Sequence, residues 1–340
     1  AAALAEMAKE VETKITELEK PEVVFPRNLT RRASSAIKGQ QEALQSVYEF
    51  YEGYDPLFTW WNEKPYLKLD SLLGLYASTM SKQIDAATLP PDDGSGIIGN
   101  PIGKEELTRL LKHEFISYSP EELVEIANKE FAWCDAELLK ASREMGFGDD
   151  WQAAQEKVKM SFVPPGEQPE AMLDLYNQSV EFLKKNDLLS IPPISEETWR
   201  MKMIPPERQL ISPFFLGGEV LQISYPTEEM EHEDKMMSMR GNNPHFSRST
   251  VHHELIAGHH LQQFMNRRNK SYRFHYTPFW TEGWALYWEL LLWDMDFPRS
   301  PEDRIGMLFW RMHRCARIIF SLNYHLGNWT PQQCVDYLVD

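Results

Sequence analysis

Helix starts limit what this chain can become more than any other local signal. Ser119-Pro120-Glu121-Glu122 combines a capping hydroxyl, a proline suited to a first turn and two acids set against the positive end of the helix dipole. Leu123, Ile126, Ala127, Phe131 and Cys134 then recur at helical spacing, which predicts an amphipathic helix over 119–145. The stretch 34–54 has few breakers, 169–186 and 301–323 repeat the amphipathic pattern, and Thr330-Pro331 starts a further helix that is still running at Asp340. Loops are marked by Pro90-Pro91-Asp92-Asp93-Gly94-Ser95-Gly96, Pro164-Pro165-Gly166 and Pro192-Pro193. The best strand candidate is 218–225, where Val220, Gln222 and Ser224 alternate with Leu221, Ile223 and Tyr225. The expected fold is mainly α, a large helical domain with a small β element.

Composition narrows the class further. A chain of 340 residues with 42% hydrophobic residues has the material for an ample core, which excludes disorder as the main state. The formal net charge of −16 repels phosphate backbones and anionic lipid, so neither nucleic acid nor a membrane surface is an expected partner. The richest apolar stretch, 284–293, carries Glu289 and falls short of the ~18 uninterrupted apolar residues of a membrane span. Residues 1–20 lack a basic start followed by an apolar run, so no signal peptide is visible there. The expectation is a soluble protein, cytoplasmic or secreted. Sequons at Asn28, Asn177, Asn269 and Asn328 are compatible with secretion. Cys134, Cys315 and Cys334 have neither zinc-ribbon nor disulfide-framework spacing and read as ordinary buried or free thiols.

Four of the ten histidines lie within nine residues, in His252-His253-Glu254-Leu255-Ile256-Ala257-Gly258-His259-His260. Neutral imidazole is the commonest zinc ligand, and a Glu beside a ligating His can serve a zinc site as its base without binding the ion. The spacing departs from His-Glu-x-x-His, because Ala257 stands where the second ligand should be. On an unbroken helix His253 and His260 share a face but sit about 10.5 Å apart along the axis, too far for one ion with bonds of about 2.0–2.1 Å. A helix that bulges or breaks at Ala257-Gly258 brings His259 back to the missing ligand's place. The expected ligands are therefore His253 and His259, with His260 as the alternative to His259.

A third ligand is expected from the segment 276–289, which reads as a loop, a cap at Thr277 or Thr281, and a nearly all-apolar helix. Glu282 is an acid at the start of that helix, and a buried carboxylate is costly unless it is paired or binds a metal. Its bland role is to favour the helix N-terminus; beside the histidine cluster, ligation is the expectation. Glu289, two turns on and on the same face, is either a partner that holds a ligating histidine by a hydrogen bond or a surface or core-edge carboxylate.

At these residues the sequence resembles the family catalogued as domain of unknown function 885, zinc-peptidase-like proteins placed with the gluzincins. The family pattern His-Glu-x-x-Pro-Gly-His-His-Leu-Gln is matched by 253–262, with Ala257 in place of the proline, and Glu-Gly-Trp-Ala-Leu-Tyr is matched by 282–287. The segments Asn100-Pro101-Ile102-Gly103-Lys104-Glu105-Glu106-Leu107 and Tyr118-Ser119-Pro120-Glu121-Glu122-Leu123 are similar to family segments as well. The usual Asp-Gly-Ser-Arg-Pro-Gly run before the His-Glu pair is missing, which implies a shifted substrate preference. The family ordinarily continues past the point matching Asp340, which implies further chain beyond it. A looser likeness to the His-Glu-x-x-Gly-His of dipeptidyl peptidase III, whose second ligand directly follows the Gly, also favours His259.

The expected function is a zinc metallopeptidase, a hydrolase of peptide or related amide bonds, with end-trimming among the options. Zn²⁺ would be held by His253, His259 and Glu282, with Glu254 as general base. His260, His275, Tyr276 and Tyr287 are unranked candidates for stabilising the oxyanion. The 218–225 strand is either an edge for an extended peptide or plain sheet core. The expected division is a helical N-terminal region, 1–200, and a metal-site region, 201–340, with a zincin-type helix pair. Two rivals stand beside it: a non-catalytic helical metal-binding or interaction protein, and an esterase or amidase on the same site.

Overall fold

The computed structural model describes residues 1–85, 93–97, 99, 101–211, 217, 219–224, 226–270 and 277–339. The chain begins with α1 (Ala2–Leu18), α2 (Arg27–Tyr51), α3 (Pro56–Lys82), α4 (Gly103–His113), α5 (Pro120–Glu144), α6 (Trp151–Lys159), α7 (Gln168–Lys185) and α8 (Pro193–Thr198). It continues through β1 (Arg200–Met203), α9 (Pro206–Gln209), β2 (Val220–Ile223), α10 (His232–Gly241), α11 (Pro244–Glu254), α12 (His259–Arg268), α13 (Pro278–Asp294), α14 (Pro301–His325) and α15 (Pro331–Val339). The protein is mainly α, as the helix signals require. Ser119 caps α5 in a full capping box with Glu122, and Ser300 caps α14 through the backbone N–H of Asp303. β1 and β2 pair in parallel, with Arg200 opposite Val220 and Met203 opposite Ile223. Leu221 and Ile223 are buried while Val220 and Gln222 are partly covered, the alternation read from the sequence. Of the predicted features, Pro90, Pro91, Asp92, Asn100, Gly218, Tyr225, His275 and Tyr276 lie outside the described residues.

Packing divides the chain into two units, and neither limit falls at residue 200. One comprises Ala1–Ile102 with Trp329–Asp340, the other Gly103–Asn328. In the first, α3 packs on α1 and α2 around Ala8, Leu18, Ile37, Leu69, Leu73 and Ala77. Ser34 Oγ donates to the Ala77 carbonyl at 3.0 Å, and the rings of Tyr48 and Tyr66 stack with centroids 3.7 Å apart.

The second unit is built around α11, which packs against α7, α13 and α14. Val251, Leu255 and Ile256 join Leu183, Leu221, Trp288 and Leu292 in its core, each such side chain contributing about 1.5–3 kcal/mol on burial. α14 approaches α11 so closely that a Cβ at Gly306 would lie 2.2 Å from the His245 carbonyl oxygen. Trp310 Nε1 donates to the Phe246 carbonyl at 2.9 Å across the same contact. On its far side α14 packs along α5, with Cys134, Leu138 and Ala141 against Ile305 and Leu308. All three cysteines are buried. Among the described residues no helix is long and apolar enough to cross a membrane.

Candidate metal centre

The backbone around the histidine cluster breaks where the sequence places Ala257-Gly258. α11 starts at Asn243, whose side chain accepts from the N–H groups of His245 and Phe246, and it stops at Glu254. After four intervening residues α12 begins at His259. The turn folds back on the end of α11: Gly258 N–H donates to the His252 carbonyl at 2.9 Å, and Leu261 N–H to that of Leu255 at 3.2 Å. A Cβ at Gly258 would stand 1.7 Å from the His253 carbonyl oxygen, so only glycine permits this approach. Trp284 Nε1 on α13 donates to the Ala257 carbonyl at 2.7 Å and holds the turn from outside.

This break sets His253 and His259 face to edge, with ring centroids 4.7 Å apart and planes at 87°. Thr277 caps α13 by accepting from the Trp280 N–H, and the first turns of that helix carry Glu282 to the two imidazoles. Glu282 Oε2 lies 3.5 Å from His253 Nε2 and Oε1 lies 3.6 Å from His259 Nε2. Both separations exceed the about 2.7–2.9 Å of a charge-assisted hydrogen bond. They match the edge of a tetrahedron with bonds of about 2.1 Å, which is about 3.4 Å. His253, Glu254 and His259 also each offer a ligand atom within 4.8 Å of the others. These three residues form a group that could hold a metal ion, and Glu282 faces both of its imidazoles.

Partners behind these groups orient them. His253 Nδ1 donates to Glu289 Oε1 at 2.5 Å, which leaves Nε2 as the free lone pair of the neutral ring. Glu289 is 5% exposed and also receives Arg314, whose two terminal nitrogens lie 2.7 and 2.9 Å from its oxygens. Burial raises the Glu289 carboxyl, but Arg314 and His253 outweigh it and keep the group below its ordinary value. For His253 burial works against the charged ring, yet Glu282 and Glu289 prevail and lift its pKa to about 9. The two imidazoles hold Glu282 far below the usual carboxylate range. The pocket is thus an electronegative box in which a proton and a metal compete for the same nitrogen. Burial pushes Glu254 the other way, above its ordinary value, against the pull of His253 and His259.

Other predicted residues sit elsewhere. His260 turns away: its Nε2 donates to the Ser195 carbonyl at 2.8 Å, and burial lowers its pKa. Tyr287 is half exposed and its ring packs edge-on against Trp288. His252 is fully buried, and desolvation lowers its pKa to about 4, so the ring is neutral.

Two participants went unread in the sequence. Arg314 gave no local signal, because its role depends on a carboxylate 25 residues away. Gly217 lies against Glu254, where a Cβ would fall 2.1 Å from the Glu254 Cβ and 2.2 Å from its Oε2. Its only trace was the Gly-Gly pair before β2, a hint of close backbone approach.

Comparison with known proteins places the whole chain. Residues 2–340 match the family described as bacterial protein of unknown function (DUF885). A solved structure described as "a putative lipoprotein of unknown function" from Shewanella oneidensis superposes with a TM-score of 0.70 at 14% identity. That likeness covers 93% of this chain and 60% of the other, so the chain spans about three fifths of that protein's length and shares its fold. No curated protein matches the sequence.

Proposed function

Since the chain belongs to the family of bacterial proteins of unknown function DUF885, we propose a function from the chemistry of the site itself: a zinc-dependent hydrolase of peptide or related amide bonds. The observation that carries this reading is the placement of Glu282, one oxygen toward each imidazole at 3.5 and 3.6 Å, at the edge length of a tetrahedral site. In this reading His253, His259 and Glu282 hold the ion, as in a gluzincin, and a fourth position is left for water or substrate. Zinc in such a site supplies Lewis acidity, which lowers the pKa of water and polarises a carbonyl.

The chain's own residues supply the rest. Glu254 takes a proton from water and returns it to the leaving amine; its partly desolvated carboxylate is a better base than an exposed one. Glu289 fixes the His253 tautomer, and Arg314 keeps Glu289 ionised. With a net charge of −16 the protein is a poor match for phosphate backbones, and this reading takes a peptide or small amide as the substrate.

A second reading rests on Glu254 itself. Its carboxylate lies within 4.8 Å of both imidazole donors, so it can serve as a ligand. The site then has no base, and the protein is a non-catalytic metal-binding module. Glu254→Gln separates the two. Under the hydrolase reading the variant keeps its zinc affinity and loses cleavage of a peptide library that wild type digests and a chelator stops. Lost zinc affinity supports the binding module instead, and full activity in Glu254→Gln refutes the mechanism. His253→Ala should lose both metal and turnover, and a parallel ester panel tells an esterase from a peptidase.

A further inference from the structure

A cavity of about 340 Å³ lies where α6, α10, α11 and α14 meet, and none of its lining residues belongs to the metal centre. Asn243, completely buried, fixes its walls. Its Oδ1 accepts from the N–H groups of His245 and Phe246 at the start of α11. Its Nδ2 donates to the Val158 carbonyl on α6 at 3.3 Å and to the Arg240 carbonyl on α10 at 2.7 Å. One asparagine thus pins three of the helices together, and Trp310 Nε1 ties α14 to them through the Phe246 carbonyl at 2.9 Å. The walls are therefore held in place before any ligand arrives, as small-molecule sites usually are.

The lining has an apolar and a charged part. Phe246, Phe309, Trp310 and Met237 form the first. The Phe246 and Phe309 rings meet edge-on with centroids 5.0 Å apart, and those of Phe309 and Trp310 do so at 5.1 Å. Glu156, Lys159 and Arg240 form the second. Lys159 pairs with Glu156, which leaves Arg240 as the uncompensated charge. In the same packing unit Arg248, Arg304, Arg311 and Arg314 each have a carboxylate partner. Arg240 has none among the described residues, and its Nε is buried without a hydrogen-bond partner. Arginine in a last turn ordinarily serves the helix dipole, which accounts for the place of Arg240 on α10 but not for a buried Nε left without an acceptor. We propose that the cavity binds a small monocarboxylate with an aromatic body, its carboxylate on Arg240 and its ring among Phe246, Phe309 and Trp310. A guanidinium is the natural partner of a carboxylate, and ring edges and faces at these angles suit a further ring. The volume falls within the about 300–1,000 Å³ of small-molecule sites, at the end that suits one ring and a short chain.

The test is a calorimetric titration of the full chain with 3-phenylpropionate, with and without added zinc, and it needs no turnover. Saturable binding is expected in both conditions. The neutral 3-phenylpropanamide should bind roughly tenfold or more weakly, because it lacks the charge that Arg240 meets. Octanoate, which keeps the charge and lacks the ring, should also bind more weakly than 3-phenylpropionate. Arg240→Gln should lose affinity by the same factor as the amide. Met237→Glu places a like charge at a wall position that is 45% exposed, so it should weaken binding without disturbing the core. Thermal unfolding run in parallel shows which variants are folded, and if Arg240→Gln is not, Met237→Glu and the amide decide. Absence of saturable binding, binding that appears only with zinc, equal affinity for the amide or for octanoate, or wild-type affinity in folded Arg240→Gln or Met237→Glu would overturn the proposal.

Discussion

Glu289→Gln is the sharpest test of how the centre is held. The wild-type carboxylate is 5% exposed, accepts the His253 Nδ1–H at 2.5 Å and receives Arg314 at 2.7 and 2.9 Å. Glutamine keeps the shape and one acceptor but removes the charge. A hydrogen bond to a charged partner is worth about 1.5–3 kcal/mol against about 1 for a neutral pair, so the ring loses about 1–2 kcal/mol of orientation. That corresponds to zinc binding weakened by roughly 5–30-fold, within the range seen when such supporting partners are removed. The assay is competition with a chromophoric chelator at neutral pH, with thermal unfolding run in parallel to show that the variant is folded. Arg314 acts only through Glu289, so Arg314→Gln should weaken binding less, and the double variant should fall short of the sum. Unchanged affinity in folded Glu289→Gln, or fully additive effects, would refute the idea that this chain of contacts positions His253.

Gly258→Ala forces a Cβ to within 1.7 Å of the His253 carbonyl oxygen, a backbone atom that cannot step aside; a loss of about 3 kcal/mol or more and weakened zinc binding are expected, and a wild-type Tm and affinity would count against this turn. Gly217→Ala presses on the Glu254 side chain, so turnover should fall while zinc is retained, as read by parallel metal titration and library digestion. Asp303→Ala leaves Arg248, only 4% exposed, without its 2.7 Å carboxylate partner and should cost about 3–5 kcal/mol in urea unfolding. Burial raises the Asp303 carboxyl, but His245 and Arg248 carry it below its ordinary value. Its contribution is therefore present above the unfolded-state pKa of about 3.9 and is lost as pH falls through the lower folded value. Wild type should lose stability on acidification in that window more steeply than Asp303→Ala, and parallel slopes would refute the linkage.

The helical class, the starts of α5, α14 and α15 and a break around Ala257-Gly258 were all legible in the chain, because caps, prolines and a required glycine act within a few residues of themselves. The pairing of His253 with His259 followed from helix pitch and that same break. Glu282 was legible only as an unusual acid on an apolar helix. Which direction His260 takes was not legible, since it depends on the Ser195 carbonyl, 65 residues away. The same holds for Arg314 behind Glu289 and for Gly217 against Glu254. Local sequence decides where the backbone may turn, because hydrogen-bonded ends and steric limits are local. Only tertiary packing decides which distant side chains meet, because burial rewards any apolar contact, and the partner of a buried charge is chosen by where the helices come to rest.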